Sequence, residues 1–254
     1  MTAGGTAVVT GASGGIGRAI VGELVRLGAV VHALALPDDL LDQLRGLDNV
    51  TAYGVDVRDA DAVAAILDPL EVDVLVNNAG IIGDLRAAHE STAATADALI
   101  DINLRSAVHT TMRVLPGMVS RNRGHVVFTG SIAGSRPTAN TAVYSATKAA
   151  LQAFADGLRM DLHGSAVRIT VLAPGRVETN LYDTAMGGHD EAAARLYSRT
   201  TALQPADVAA VVGMALTMPA HVDVTRIEVV PTLQVFGGSA VAEIEYIPHR
   251  GLVP

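Results

Sequence analysis

Short runs of aliphatic residues alternate along the chain with longer stretches in which apolar residues recur every three or four positions. The short runs are typical of buried parallel strands, and the longer stretches are typical of amphipathic helices. The predicted strands are Thr6–Thr10, Ala29–Leu36, Val50–Val55, Val72–Val76, His125–Thr129, Ile169–Leu172 and Arg226–Val230. The predicted helices cover about residues 16–27, 59–70, 92–120, 144–163 and 207–218. This alternation predicts an α/β fold with a doubly wound parallel sheet and helices on both faces.

The length and the pattern favour a single domain over residues 1–254. No internal repeat, low-complexity run or linker divides the chain. Residues 180–204 are irregular apart from a short predicted helix after Asp190, and such a region near a sheet edge is a candidate substrate loop. The tail over 237–254 is interrupted by Gly and Pro and matches no predicted element.

Composition excludes several classes of protein. The chain has no cysteine, which rules out disulfides, thiolate zinc sites and a cysteine nucleophile. Its net charge of −8 argues against a nucleic-acid partner. The first strand begins within the opening ten residues, so no signal peptide is predicted, and no apolar run is long enough to span a bilayer. We therefore expect a cytoplasmic protein with no membrane partner, and the scattered histidines predict no metal site.

A glycine-rich turn follows the first predicted strand and opens the first predicted helix. Gly11, Gly15 and Gly17 allow a tight turn in which backbone N–H groups approach a pyrophosphate, and the N-terminus of the helix favours its negative charge. The spacing Gly-x-x-x-Gly-x-Gly differs from the commoner Gly-x-Gly-x-x-Gly, and an ordinary loop is the alternative. Because both flanking elements suit a Rossmann-like fold, we predict nucleotide binding here.

The end of the second strand bears on the choice of nicotinamide cofactor. An acidic residue there accepts hydrogen bonds from the ribose 2′-hydroxyl, whereas a basic residue pairs with a 2′-phosphate. Residues 35–39 contain no Arg or Lys, but they include Asp38 and Asp39. We therefore expect NAD rather than NADP, with Asp38 as the selecting acid. Capping of a helix that begins before Leu40 is an equally good interpretation of the two carboxylates.

Tyr144 and Lys148 stand four positions apart at the start of a predicted helix, so their side chains share one face. A phenol with a reference pKa near ~10 is a poor base at neutral pH, and a fixed ammonium beside it favours the phenolate. Ser131 lies just beyond the fifth strand, where open α/β sheets bind ligands. The three groups together would move one proton to or from an alcohol oxygen. An exposed pair that shares a helix face by chance is the alternative.

The chain resembles the short-chain dehydrogenases/reductases. The resemblance rests on motifs that stand in the order of that family, with Ser131 13 positions before Tyr144. It covers nearly the whole chain to about residue 235. The motifs are Thr10-Gly11-x-x-x-Gly15-Ile16-Gly17, Asp56-Val57, Asn77-Asn78-Ala79-Gly80, Asn103, Ser131, Tyr144-x-x-x-Lys148 and Pro174-Gly175.

The resemblance implies a role for each matching position. Tyr144 would be the general acid/base, Lys148 would hold the nicotinamide ribose, Ser131 would bind the substrate oxygen, and Asn103 would order a water next to Lys148. The family position of the cofactor-selecting acid falls on Ala35, so cofactor choice does not carry over. The residues implied to bind the cofactor, together with Asp38, are Gly11, Gly15, Ile16, Gly17, Asp56, Val57, Asn78, Ala79, Gly80, Tyr144, Lys148, Pro174, Gly175, Val177 and Thr179.

These observations favour an oxidoreductase that transfers hydride between NAD and a secondary alcohol or ketone. Ser131, Tyr144, Leu181, Tyr182 and Met186 are the candidate substrate residues, and the lesser candidates are His89, Arg136 and Val143. One alternative is an NADP-dependent ketoreductase acting on a carbonyl or carrier-bound acyl substrate, suggested by Arg18, Arg121 and Arg123. A second alternative is a non-catalytic dinucleotide sensor. The resemblance also implies a homotetramer or homodimer built through the helices at 92–120 and 144–163.

Overall fold

The structure, a computed structural model, describes residues 4–197 and 202–234. Seven parallel strands form one sheet in the order β3-β2-β1-β4-β5-β6-β7. The strands are β1 (Thr6–Thr10), β2 (Val30–Ala35), β3 (Val50–Gly54), β4 (Val72–Asn77), β5 (Gly124–Thr129), β6 (Val167–Pro174) and β7 (Arg226–Val229). The predicted Rossmann-like doubly wound sheet is confirmed.

Helices connect the strands and cover both faces of the sheet. The α-helices of the described residues are α1 (Gly15–Arg26), α2 (Asp39–Leu44), α3 (Ala60–Leu67), α4 (Ala93–Ile100), α5 (Ser106–Ser120), α6 (Ala142–Asp161), α7 (Asp183–Met186), α8 (His189–Leu196) and α9 (Pro205–Thr217). The candidate substrate loop thus contains a 3₁₀ turn at Asn180–Tyr182, then α7 and α8. Residues 198–201 of that loop and the predicted tail over 237–254 lie outside the described residues.

Two predicted elements differ from the observed ones for physical reasons. The predicted helix over 92–120 is divided by a wide π-helical turn at Asp101–Arg105, where the side-chain amide of Asn103 bonds to the backbone of Ile81. Strand β6 is longer than predicted, because β5 and β7 pair with it on its two sides and together extend its ladder to Pro174.

The core consists of aliphatic layers above and below the sheet. Strand residues such as Val8 and Val9 are fully buried on opposite faces, as expected for a parallel sheet covered on both sides. One layer contains side chains of α1 and α9, including Leu24 and Leu216. The other contains side chains of α5 and α6, including Met118 and Leu151. Half of the chain is hydrophobic, and these apolar side chains hold the strand ends in fixed positions.

The carboxyl ends of the strands form one edge that carries most of the predicted functional residues. Strand β1 lies between β2 and β4, so the chain winds outward in both directions from it and leaves a crevice at its carboxyl end. None of the helices in the described residues is both long and apolar enough to cross a membrane. Within the same ranges, no group of three or more acidic or histidine side chains could hold a metal ion.

Candidate active site

The glycine turn after β1 packs against the loop after β4 so closely that side chains would not fit. Gly11 has φ +62°, and a Cβ built on it would lie 2.7 Å from Cα of Ala79. A Cβ on Gly17 would lie 2.1 Å from the carbonyl oxygen of Gly11. Helix α1 then begins at Gly15, and its N-cap residue, Gly14, has no side chain to cap it. Its first N–H groups therefore remain available for an anion at the crevice.

Polar side chains tie the glycine turn to the neighbouring strand ends. The side-chain amide of Asn78 donates to the carbonyl oxygens of Thr10 and Gly11 at 3.2 and 3.1 Å. The hydroxyl of Thr129, at the end of β5, donates to the amide oxygen of Asn78 at 3.2 Å. The Thr10 hydroxyl accepts from the backbone N–H groups of Asn78 and Ala79. The sequence did not single out Thr129, because its partner lies 51 positions earlier in the chain.

A single cleft of about 670 Å³ runs along this edge of the sheet. All the residues that the sequence assigned to cofactor binding line it. The sequence missed further lining residues, among them Ser13, Arg58, Asp84, Gly130 and Asn180. Ser13 and Gly130 stand next to motif residues, so their position beside those motifs could have signalled them.

Asp38 lines the cleft, but its carboxylate is also the N-cap of α2. It accepts hydrogen bonds from the backbone N–H of Leu41 at 2.6 Å and from the hydroxyl of Ser13 at 2.7 Å. The capping interpretation of Asp38 is therefore confirmed. At the same end of the cleft Asp56 pairs with Arg58. Hydrogen bonding to Arg58 lowers the pKa of Asp56.

Ser131, Tyr144 and Lys148 lie together on one wall of the cleft. Ser131 follows β5, and Tyr144 and Lys148 occupy the first turns of α6 on one face. The ammonium of Lys148 is 5.7 Å from the centroid of the Tyr144 ring, and it donates to the carbonyl oxygen of Thr129 at 2.8 Å. Lys148 is the only lysine of the chain. The arrangement suits proton transfer at an oxygen held between Ser131 and Tyr144.

The protein's own groups hold Tyr144 as a phenol at neutral pH. Burial raises the pKa of Tyr144, the nearby phenol of Tyr182 raises it further, and hydrogen bonding to Ser131 lowers it. Burial lowers the pKa of Lys148 to about 8. Burial therefore dominates the pKa of Tyr144 in the chain alone, and the expectation that the ammonium of Lys148 favours the phenolate stays a prediction.

Asn103 is fully enclosed behind this wall and does not line the cleft. Its amide oxygen accepts from the N–H of Ile81 at 2.8 Å, and its amide nitrogen donates to the Ile81 carbonyl at 2.9 Å. A Cβ built on Gly80 would lie 3.2 Å from Asn103 Oδ1 and 3.4 Å from Lys148 Nζ, so the two side chains flank the same glycine. Asn103 thus positions the loop after β4 next to Lys148.

The substrate candidates divide into two groups. Leu181 and Tyr182 line the cleft next to Tyr144, whereas Met186 is on α7 outside the lining. The lesser candidates also lie outside it. His89 is exposed, Arg136 pairs with Glu228, and Val143 packs behind Tyr144.

The arginines that suggested a ketoreductase do not gather at the cleft. Arg121 donates to the carbonyl of Val72, and Arg123 pairs with Asp73, both at the amino end of β4. This is the edge of the sheet opposite the cleft. Arg18 extends from α1 to the side chain of Gln43.

Comparison with known proteins identifies the protein family to which this fold and this site belong. The family described as short chain dehydrogenase has a sequence model that matches residues 5–187. The chain belongs to this family, as the sequence predicted. It is accordingly an oxidoreductase that transfers hydride between a nicotinamide cofactor and an alcohol or ketone, and a non-catalytic sensor is not favoured.

Individual relatives extend over nearly the whole chain. An uncharacterised short-chain type dehydrogenase/reductase of Sinorhizobium fredii is 44% identical, covering 94% of this chain and 96% of its own. The NADP-dependent 3-hydroxy acid dehydrogenase YdfG of Salmonella typhi is 40% identical, covering 92% and 98%. A closed form of serine dehydrogenase complexed with NADP+ is 38% identical and covers 93% and 99%, with a TM-score of 0.88.

The expectation of NAD as cofactor is wrong. Two of these three relatives are described with NADP, one by name and one as a complex. The acid on which the expectation rested, Asp38, is occupied as the cap of α2 and as the acceptor of the Ser13 hydroxyl. A carboxylate near the end of β2 is therefore not by itself a sign of NAD, because the same residue type is favoured at helix N-caps.

Proposed function

We propose that this chain is an NADP(H)-dependent dehydrogenase of small 3-hydroxy acids, with Tyr144 as its general acid/base. The proposal rests on one observation: Ser131, Tyr144 and Lys148 line the same cleft as the glycine turn. The substrate class is supported by the relatives named 3-hydroxy acid dehydrogenase and serine dehydrogenase. Hydride transfer is the contribution of the nicotinamide ring when the cofactor is bound.

Each side chain of this wall would have a separate role in transferring the proton of the substrate hydroxyl. Ser131 donates a hydrogen bond to the substrate oxygen and holds it against Tyr144. In the direction of reduction Tyr144, a phenol at neutral pH, gives its proton to that oxygen. In the direction of oxidation it must first become a phenolate, so the rate of oxidation rises with pH. Lys148 holds the ribose and stabilises the phenolate by its charge.

The cleft fits a phosphorylated dinucleotide at two places. The glycine turn leaves no room for a Cβ on Gly11 or Gly17, and the uncapped N-terminus of α1 suits the pyrophosphate. Arg58 is the cationic side chain that lines the same end of the cleft as Asp38 and Asp56. We propose that Arg58 contributes positive charge near the 2′-phosphate of NADP.

The test compares wild type with Tyr144→Phe, using NADP+, NADPH and a panel of small 3-hydroxy and 3-oxo acids. We expect Tyr144→Phe to lower kcat at least about 100-fold in both directions, because general acid/base catalysis supplies a factor of that order. Wild-type reduction should stay level from pH 6 to 8, and oxidation should increase over that range. Turnover by Tyr144→Phe equal to wild type would reject Tyr144 as the proton donor.

Cofactor binding is measured separately, so that an inactive variant remains informative. Lys148 is the only lysine, and an amine-selective reagent therefore has this side chain and the N-terminus as its amine targets. NADPH should protect Lys148 from modification in both wild type and Tyr144→Phe, and it should do so at lower concentration than NADH. Equal protection by the two cofactors would contradict the proposed preference for NADP(H).

We also propose a homo-oligomer assembled through α5 and α6. Met112 on α5 and Met160 on α6 are large apolar side chains that are 62% and 78% exposed in the single chain. Exposed apolar side chains on neighbouring helices favour an interface. The cytoplasmic location expected from the sequence stays a prediction.

A further inference from the structure

The 3₁₀ turn after β6 brings a second phenol to the reaction end of the cleft. Tyr182 is the last residue of this turn, and its side chain lines the cleft together with Ser131 and Tyr144. The rings of Tyr182 and Tyr144 belong to one apolar cluster. The two phenols are close enough that Tyr182 contributes to raising the pKa of Tyr144.

The hydroxyl of Tyr182 makes no hydrogen bond within residues 4–197 and 202–234. Tyr197, a second tyrosine of the same loop region, differs in this respect. Its hydroxyl donates to the carbonyl of Val177 at 3.0 Å and accepts from the N–H of Thr179 at 3.4 Å. Leaving a partly buried hydroxyl unpaired is costly, so a hydroxyl that faces a cleft is suited to pair with a ligand.

The charges around Tyr182 favour a negatively charged partner. Burial raises the pKa of Tyr182, and the positive charge of Arg176 acts in the opposite direction. A phenol beside a cation is a stronger donor to an anion. In the described lining of the cleft the basic side chains are Arg58 and Lys148, and Arg58 belongs to the other end. A carboxylate at the reaction end would therefore meet hydroxyl donors and Lys148, and no arginine in the lining. The lining also contains one acid after β4, Asp84, whose carboxylate accepts from the Ser91 hydroxyl and the N–H of Arg86.

We propose that Tyr182 recognises the substrate carboxylate by donating its phenolic hydrogen to a carboxylate oxygen. This inference rests on the proposed function, because it takes a 3-hydroxy acid as the substrate. The carboxylate of such a molecule lies within roughly 5 Å of the reacting oxygen. Since Tyr182 packs with Tyr144, one small molecule reaches both phenols. Tyr182 is then a specificity-determining residue and takes no part in the transfer of the hydroxyl proton.

The experiment compares wild type, Tyr182→Phe and the control Tyr197→Phe. The substrates are 3-hydroxybutyrate and its methyl ester, which keeps the carbinol and removes the negative charge. Tyr182→Phe should raise KM for the acid about 10- to 100-fold, the usual worth of a hydrogen bond to a charged group, with kcat within about threefold. It should leave kcat/KM for the ester within about twofold. Tyr197→Phe should keep the preference of wild type for the acid.

A binding measurement separates this inference from the proposed function. Butyrate has the carboxylate without the reacting hydroxyl, and its binding to the NADPH complex is followed by nicotinamide fluorescence. Tyr182→Phe should weaken butyrate binding by the same factor as it raises KM. Unchanged butyrate binding in Tyr182→Phe, or an equal loss on acid and ester, would overturn the role of Tyr182. Absence of turnover in wild type with every hydroxy acid would instead reject the proposed function, while the butyrate titration would still decide on Tyr182.

Discussion

Lys148 is buried as a cation, and no carboxylate of the described residues pairs with it. Burial lowers its pKa from 10.5 to about 8, and its ammonium donates to the carbonyl of Thr129 at 2.8 Å. A pKa that is lower in the folded than in the unfolded chain means that the charged form destabilises the fold. This penalty is fully present below pH 8 and fades as the pH rises toward 10.5. We attribute this destabilising charge to the function of the cleft, in which a cation lies next to Tyr144.

Replacing Lys148 by Met should therefore stabilise the protein while abolishing turnover. We expect the free energy of unfolding at pH 7 to rise by about 1 to 2 kcal/mol, since relief of the desolvated charge exceeds the loss of one hydrogen bond. Urea unfolding at pH 7 and pH 9.5 measures the effect, and the gain should shrink at the higher pH. Tyr144→Phe is the matched control, which is inactive but has no such pH-dependent gain. A less stable Lys148→Met at pH 7 would contradict this account.

At the scale of elements, Arg168 connects β6 to the end of α9. Its guanidinium donates to the carbonyl oxygens of Ala215, Leu216, Met218 and Val222 at distances of 3.2 to 3.5 Å. The last carbonyls of a helix have no partner within the helix, so a cation that binds several of them satisfies both sides. The side chain is partly buried, which makes these bonds worth more than surface contacts.

Arg168→Met should lower the free energy of unfolding by roughly 2 kcal/mol, because several carbonyls lose a charged donor and the aliphatic volume is kept. The midpoint of urea unfolding measures this loss. Turnover at low denaturant should be unchanged, since Arg168 is remote from the cleft lining. Arg45→Met is the control: Arg45, at the end of α2, pairs with Asp42, both side chains are exposed, and its loss should leave the midpoint unchanged. A midpoint of Arg168→Met equal to wild type would refute the capping role.

Comparison of the predicted with the observed elements shows which features of the fold and the site the sequence reveals. Aliphatic runs predicted all seven strands to within about two residues at each end, because a parallel sheet buried on both faces leaves a strong pattern. The π-helical turn in the helix over 92–120 was not predictable, since it depends on the bond between Asn103 and Ile81, 22 positions apart. The direction of the Tyr144 pKa shift depends on burial, which spacing along a helix does not reveal.

The helices on the two faces of the sheet differ in how far their large apolar side chains are exposed. On one face α9 packs against α1 and belongs to the same apolar layer. On the other face α5 and α6 cover the sheet, and Met112 and Met160 remain exposed at 62% and 78%. These two side chains support the oligomer interface proposed above. A second copy of the chain, placed with the same two helices facing their counterparts, would bury both methionines.

Met112→Glu should therefore weaken assembly, because each copy of the interface would enclose unpaired carboxylates. A loss of 2 to 5 kcal/mol is usual for an unpaired charge at an interface, which raises the dissociation constant by roughly 30-fold or more. Sedimentation velocity over a dilution series should show wild type as a dimer or tetramer and Met112→Glu as smaller species. Met214→Glu is the matched control, since Met214 is an exposed methionine of α9 on the opposite face. A monomeric wild type, or equal disruption by both variants, would reject the interface on α5 and α6.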